Sequence, residues 1–198
     1  MSRSVYVSFY TPDYIEPVSR LIESLHKHGL DYDIPKFPDT GEWIKNCALK
    51  PKFIYDMLYR YQDRPLVWTD ADSVVNSTPH LFELPNTYKD FDAAVCEYKW
   101  LRGRTETFSG TLWFNKTGRA RRLVDIWAAL QLASPSEMDQ RVLARAVELA
   151  RAEGVRVASL PVEYCYIFDF HKEEHPTKVA VIEHFQYSRI RKEREVKR

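Results

Sequence analysis

Residues 65–75 read PLVWTDADSVV, and this stretch decides how we interpret the whole chain. The apolar run Leu66–Thr69 predicts a short buried strand, and two aspartates, Asp70 and Asp72, follow it directly. Ligands of open α/β sheets bind beyond the carboxyl ends of the strands, so this position suits a functional pair. In an extended segment the side chains of residues i and i+2 point to the same side. We therefore expect the two carboxylates to converge.

The paired carboxylates indicate a metal site. Two neighbouring carboxylates repel each other at low dielectric, so a divalent cation between them stabilises the pair. Hard ions such as Mg²⁺ and Mn²⁺ prefer oxygen ligands and complete their shell with phosphate oxygens. Such an ion also neutralises charge that builds on a departing diphosphate. The competing interpretation is that Asp70 and Asp72 are turn or helix-capping residues, roles that Asp commonly fills.

The flanking sequence alternates between short apolar runs and helical periodicity, which predicts an α/β fold with a mixed, mostly parallel central sheet flanked by helices. Strands are predicted at Val5–Tyr10, Leu30–Ile34, Pro65–Thr69, Ala93–Glu97, Thr111–Phe114, Val155–Leu160, about Tyr164–Phe168 and Val179–His184. Helices are predicted at Ile15–His28 with Gly29 as its stop, at Ala48–Tyr61 with Pro51 in the first turn, at Arg119–Leu132, and from about Ser136 to just before Gly154. Pro35, Pro38 and Gly41 predict a loop.

The composition is that of an ordinary globular domain. The chain has 198 residues, of which 44% are hydrophobic and 29% charged. We expect one domain over residues 1–190 and a charged tail over residues 191–198. The net charge of +1 argues against binding nucleic acid by bulk electrostatics.

The cysteines and the hydropathy bear on the compartment. Cys47, Cys96 and Cys165 are odd in number and lack metal-binding spacing, so we expect reduced thiols and a cytoplasmic location. Neither a signal peptide nor a run of 18 apolar residues is present in the sequence, so we expect no membrane-spanning segment.

Six short motifs occur in order: WIKNC at 43–47, KPKFI at 50–54, WTDADSVV at 68–75, SGTLWFN at 109–115, the pair Asp139-Gln140, and IEHFQYSR at 182–189. The ordered series resembles the nucleotide-diphospho-sugar transferases, a GT-A group of glycosyltransferases, over roughly residues 5 to 190. The resemblance implies a single GT-A, Rossmann-like domain. It also implies transfer of a sugar from a nucleoside diphosphate sugar, for which we expect a UDP-sugar, to an acceptor hydroxyl.

The same resemblance implies Mn²⁺ or Mg²⁺ as cofactor, bound by Asp70, Asp72 and His184, with Asp72 and Asp139 as catalytic residues. A histidine at a strand end is otherwise an ordinary surface or core residue. Residues 136–139 read SEMD, which fits a capping box with Ser136 at the N-cap and Asp139 at N3, so helix chemistry alone could explain this aspartate.

The donor nucleotide and sugar are expected at Thr11, Tyr14, Lys50, Asp70, Ser109, Gly110, Thr111, Gln140 and Arg189. At a helix start, Lys50 would add its charge to the positive end of the helix dipole, unless it is a solvated surface lysine. Gly110 would let a ligand approach a strand entry closely, unless residues 109–111 form a β-bulge or a tight turn.

Other functions stay open. Residues 70–74, DADSV, come close to the nucleophile motif of haloacid-dehalogenase-like phosphohydrolases, in which Asp70 would form a phospho-aspartate. That motif normally opens the first strand, so we rank this alternative lower. A non-catalytic sugar-nucleotide-binding module is a further alternative. The charged tail after Ser188 could steer an anionic partner. The acceptor, whether glycan, protein, lipid or modified nucleic acid, is left open, as is the oligomeric state.

Overall fold

The computed structural model describes residues 3–84, 87–100 and 103–189, and it has an α/β architecture. The strands are β1 (Val5–Val7), β2 (Asp31–Asp33), β3 (Leu66–Thr69), β4 (Ser73–Val75), β5 (Ala93–Lys99), β6 (Thr105–Phe114), β7 (Val157–Ser159), β8 (Tyr166–Ile167) and β9 (Ile182–His184). The helices are α1 (Ile15–Lys27), α2 (Trp43–Ala48), α3 (Lys50–Arg60), α4 (His80–Glu83), α5 (Gly118–Ala133), α6 (Asp139–Ala152) and α7 (Phe170–Glu174). Short 3₁₀ turns lie at Pro12–Tyr14 and Val162–Tyr164. The expected tail, 191–198, lies outside the described residues.

The central sheet has six strands in the order β2-β1-β3-β6-β5-β7. Strand β1 pairs in parallel with β2 and β3, and β5 pairs in parallel with β7. Strand β6 lies between β3 and β5 and runs antiparallel to both. The sheet is therefore mixed and mostly parallel, as the sequence predicts.

The sequence predicts one sheet, but the strands predicted at about Tyr164–Phe168 and at Val179–His184 do not join it. They contain β8 and β9, which form a second sheet of three strands in the order β4-β9-β8. Strand β4 directly follows the two aspartates and was not predicted, because three residues are too few to show a period. It pairs antiparallel with β9, and Ser73 lies opposite His184. Although β4 and β9 are far apart in the sequence, their pairing places His184 next to the aspartates.

Strand β6 is longer than predicted and contains a bulge. Its pairing with β5 passes from Val95 opposite Leu112 to Cys96 opposite Phe108, so residues 109–111 have no partner in β5. The β-bulge interpretation of this segment is confirmed, and Gly110 lies within the strand rather than at its entry.

Some helix boundaries also differ from those predicted from the sequence. The loop predicted before residue 48 contains α2, whose six residues are too few to show a helical period. Helix α3 begins at Lys50, with Pro51 in its first turn as predicted. Gly29 follows α1 with a φ of 62°, the left-handed conformation that glycine adopts freely at a helix end.

Alternating residues of the central strands point to two opposite cores. Val7 and Trp68 face the side covered by α3, α5 and α6, where Trp127 is fully buried. Tyr6 and Val67 face the side covered by α1. The central sheet is thus covered by helices on both faces. This packing holds the carboxyl end of β3, and with it the two aspartates, in place. Within the described ranges no helix combines the length and apolarity needed to cross a bilayer.

Candidate active site

The two aspartates lie in a tight turn that leads from β3 into β4. Asp70 N–H donates to Gly110 O at 2.9 Å, and Ser73 N–H donates back to Asp70 O at 3.0 Å. The segment is therefore a turn and not the extended strand end expected from the sequence, and the turn interpretation of these residues is confirmed. The turn nevertheless brings the two carboxylates to one place.

Asp70, Asp72 and His184 form a cluster whose potential ligand atoms all lie within 4.8 Å of one another. His184 is 1% exposed, and its Nε2 is 2.9 Å from Thr111 Oγ1. Its Nδ1 is buried and makes no hydrogen bond to nitrogen or oxygen in the described part of the chain, and the thiol of Cys165 is the neighbour of the imidazole. An imidazole nitrogen within reach of two carboxylates fits a metal ligand. Two oxygens and one nitrogen suit Mn²⁺ or Mg²⁺.

The backbone orients Asp72. Tyr187 N–H donates to Asp72 Oδ2 at 2.8 Å, and Phe185 N–H donates to Asp72 O at 3.1 Å. Burial, and then the neighbouring Asp70, raise the pKa of Asp72 above its usual value. Both causes penalise the ionised carboxylate, so a cation held beside it would relieve them.

Lys50 is 5% exposed, so the interpretation of it as a solvated surface lysine is wrong. Its ammonium lies 2.9 Å from Asp70 Oδ1 and 2.7 Å from Asp139 Oδ2. It also donates to Ser109 Oγ at 3.2 Å. Burial by itself lowers the pKa of Lys50, but Asp139 and then Asp70 outweigh burial and raise the pKa well above its usual value. The lysine is a cation that links two carboxylates.

Asp139 is the first residue of α6, and Met138 is the N-cap, which corrects the capping box predicted from Ser136. Glu137 N–H donates to Ser134 O, and Gln131 Nε2 donates to Ser134 O and Glu137 O. This turn keeps residues 134–137 out of the helix, so the helix starts later than the pattern suggests.

The side chain of Asp139 points to the β6 bulge instead of capping its helix. Its Oδ2 accepts from Ser109 Oγ at 2.9 Å and from Lys50. The predicted residues Lys50, Asp70, Ser109 and Asp139 therefore form one network, in which the side chain of Asp70 is partly exposed and the other three are buried.

These residues line an open cleft with a cavity volume of about 170 Å³. Eight of the predicted residues line it: Thr11, Tyr14, Lys50, Asp70, Asp72, Ser109, Asp139 and Gln140. Gly110 and Thr111 contact His184 instead. Arg189 is exposed, and its Nη1 donates to Asp169 Oδ2 at 3.3 Å, so its role with the donor stays a prediction.

Thr11, Tyr14 and Gln140, which are among the residues expected to bind the donor, are fixed by contacts within the protein. Thr11 is buried, and its carbonyl accepts from Tyr14 N–H at 2.9 Å. The ring of Tyr14 meets that of Tyr187 edge-on, with centroids 5.4 Å apart. Gln140 Nε2 donates to Glu106 Oε1 at 2.8 Å, which fixes its amide beside the cleft.

Several lining residues had no role assigned from the sequence. Trp68 Nε1 donates to Asp70 Oδ1 at 3.1 Å, and its ring lies 5.2 Å from the Lys50 ammonium. Gln186 and Ser188 line the cleft from the segment after β9. The motifs 68–75 and 182–189 include these residues, but nothing in their spacing distinguishes a cleft-lining side chain from its neighbours.

Comparison with solved structures identifies the fold. The chain is similar to a glycosyltransferase involved in the glycosylation of the major capsid of PBCV-1, with a TM-score of 0.68, 16% sequence identity and 93% of each chain covered. It is also similar to the glycosyltransferase GlyE of Streptococcus pneumoniae TIGR4, in one structure with a TM-score of 0.59 and in its apo form with 0.58, each at 16% identity. The matches cover 93% of this chain but only 55% and 54% of the GlyE chains, so this chain spans about half of GlyE.

Neither a protein-family model nor a curated protein matches the sequence. At this level of identity the structural likeness establishes the fold alone. The chain thus has a glycosyltransferase fold, as the ordered motifs predict.

Proposed function

We propose that this protein is a metal-dependent glycosyltransferase that moves a sugar from a nucleoside diphosphate sugar, a UDP-sugar in our expectation, to an acceptor hydroxyl. The observation that carries the proposal is the convergence of Asp70, Asp72 and the buried His184, of which the two aspartates line an open cleft. The glycosyltransferase fold supports the reaction class. The three free thiols favour the cytoplasm as the compartment.

The charges of the cleft support the need for a divalent cation. Among the described lining residues, three carboxylates (Asp70, Asp72 and Asp139) face one ammonium, that of Lys50. Lys50 is already paired with two of these carboxylates. A diphosphate entering this cleft would meet an excess of negative charge, which a bound divalent cation offsets. When bound, Mn²⁺ or Mg²⁺ would supply electrophilic stabilisation of the departing diphosphate.

The protein groups have separate tasks in this proposal. Oδ1 of Asp70 contacts Lys50 and Trp68, and Oδ2 of Asp72 accepts from Tyr187 N–H. The other carboxylate oxygen of each aspartate can therefore bind the cation. Asp139 is held deep in the cleft, where its carboxylate can accept hydrogen bonds from hydroxyls of the donor sugar or of the acceptor.

Replacing Asp72 with Asn tests the proposal. An amide oxygen keeps the hydrogen bond from Tyr187 N–H but removes the charge that binds the cation. We expect manganese-dependent release of UDP from UDP-sugars to fall by at least about a hundredfold. The thermal unfolding temperature should stay close to that of the unmodified protein. Asp56→Asn, at a surface carboxylate on α3, is the matched control and should keep full activity.

Measurements of UDP release, inorganic phosphate release and UDP-sugar binding separate the alternatives. A phosphohydrolase would release inorganic phosphate through a phospho-aspartate on Asp70, whereas a non-catalytic module would bind UDP-sugar without turnover. Retention of metal-dependent turnover by Asp72→Asn would show that the site is assigned wrongly.

A further inference from the structure

Gln186 has a backbone conformation that L-residues rarely adopt. Its φ is 50°, and it is the only non-glycine residue with a positive φ in the described ranges. The left-handed region brings Cβ close to the backbone, which costs free energy for every residue except glycine and costs less for Asn than for most others. Such a conformation persists only where the surrounding structure holds it, and it is often found at functional sites.

The left-handed residue reverses the chain beside the proposed metal ligands. Gln186 follows His184 by two residues and precedes Tyr187, whose N–H donates to Asp72 Oδ2 at 2.8 Å. On the other side of the turn, Phe185 N–H donates to Asp72 O at 3.1 Å. Arg189 N–H closes the turn by donating to Gln186 O at 2.8 Å.

Two backbone N–H groups of the turn therefore donate hydrogen bonds to Asp72, one to its carbonyl oxygen and one to its carboxylate. The two amide donors come from the residues on either side of Gln186. If Gln186 relaxed to an ordinary negative φ, the N–H groups of Phe185 and Tyr187 could not both keep their present directions. Asp72 would then lose the hydrogen bond that fixes its carboxylate relative to Asp70 and His184.

We propose that Gln186 is a positioning residue of the metal centre, whose left-handed backbone holds Tyr187 N–H on Asp72 and so orients that carboxylate toward the cation. The inference rests on the proposed function, because it requires the site to bind a metal. The side chain of Gln186 also lines the cleft, so a test must separate its backbone from its amide.

Three substitutions make that separation: Gln186→Gly, Gln186→Asn and Gln186→Val. Glycine and asparagine accept the left-handed conformation, whereas a β-branched valine resists it. The probe is Mn²⁺ alone, and the measurement is the loss of the electron paramagnetic resonance signal of free Mn²⁺ as protein is added, well below the unfolding temperature. We expect the glycine and asparagine variants to bind within about twofold of the unmodified protein, and the valine variant roughly tenfold or more weakly. Gln186→Thr, which is also β-branched, replaces the valine variant should valine prevent folding.

Gly154→Val is the matched control, because Gly154 has a φ of 83° after α6 and a Cβ added there would meet no atom within 4 Å. It should lower the unfolding temperature and leave Mn²⁺ affinity unchanged. Equal Mn²⁺ affinity for all Gln186 variants, or an equal loss for glycine and valine, would overturn the positioning role. Absence of Mn²⁺ binding by the unmodified protein would instead overturn the proposed metal site itself.

Discussion

Gly110 lies directly against the imidazole of His184. A Cβ added to Gly110 would be 2.9 Å from His184 Cε1, 3.1 Å from His184 Nδ1 and 3.3 Å from Cys165 Sγ. The first distance is shorter than real Cβ contacts allow, and the imidazole is buried, so it has little room to move. The glycine in the β6 bulge thus makes room for the histidine that completes the Asp70, Asp72 and His184 cluster.

Gly110→Ala is therefore expected to displace His184. Overpacking should lower the free energy of unfolding by about 1–3 kcal/mol, and loss of the ligand position should weaken Mn²⁺ binding roughly tenfold or more. Chemical denaturation and Mn²⁺ titration measure the two effects. Gly118→Ala is the control, because its Cβ would meet nothing within 4 Å, and it should leave Mn²⁺ affinity unchanged and not lower the free energy of unfolding. Unchanged Mn²⁺ affinity in Gly110→Ala would argue against His184 as a ligand.

Lys50→Met should destabilise the fold by about 3–5 kcal/mol, because it leaves the carboxylates of Asp70 and Asp139 without their buried cation. Urea denaturation measures this loss. The double variant Lys50→Met/Asp139→Asn should recover part of it, since one of the two unpaired charges is gone.

Lys52→Met is the matched control two residues away. The side chain of Lys52 is 67% exposed, and its ion pair is with Asp56 on the same helix, so its loss should cost less than about 1 kcal/mol. Similar losses for the Lys50 and Lys52 variants would contradict the role of Lys50 as a buried link.

Because of His171, we expect the folded protein to lose stability at acid pH. Burial, and then the nearby His175, lower the pKa of His171 to about 4, from 6.5 in the unfolded chain. Below pH 6.5 the unfolded chain takes up a proton that the folded protein does not, so stability falls as the pH drops from 6.5 to about 4. The loss from this group should reach about 3 kcal/mol, measured by urea denaturation across that range.

His171→Asn isolates this contribution. Its side-chain oxygen can replace Nδ1, which accepts from Ile167 N–H at 2.8 Å, and it does not titrate. The variant should start less stable at pH 7 but lose about 3 kcal/mol less on acidification than the unmodified protein. His80→Asn, at an exposed position, serves as the control. Parallel pH profiles for His171→Asn and the unmodified protein would rule out this histidine as the cause.

The sequence predicted most of the fold because its elements carry local patterns. The buried strand before Asp70, the apolar face of α1, Gly29 at its end and Pro51 in the first turn of α3 were all predicted from short-range features. Helix α2 and strand β4 were missed, since neither is long enough to show a period. The start of α6 was placed too early because the turn at 134–137 is held by Gln131, a contact that no capping pattern encodes.

The candidate site was likewise predictable from the sequence only in part. Asp70, Asp72, Lys50, Asp139 and His184 were named from motifs, and the sequence by itself determined their chemical types and their positions at element ends. Only the tertiary structure decided that Lys50 is buried between two carboxylates and that the β4 and β9 pairing brings His184 to the aspartates. It also decided that Gln186 has a left-handed backbone and that the next residue, Tyr187, donates its N–H to Asp72. Local patterns record what each segment prefers, whereas these contacts join residues that are far apart in the chain, and they form only when the helices and the two sheets pack together.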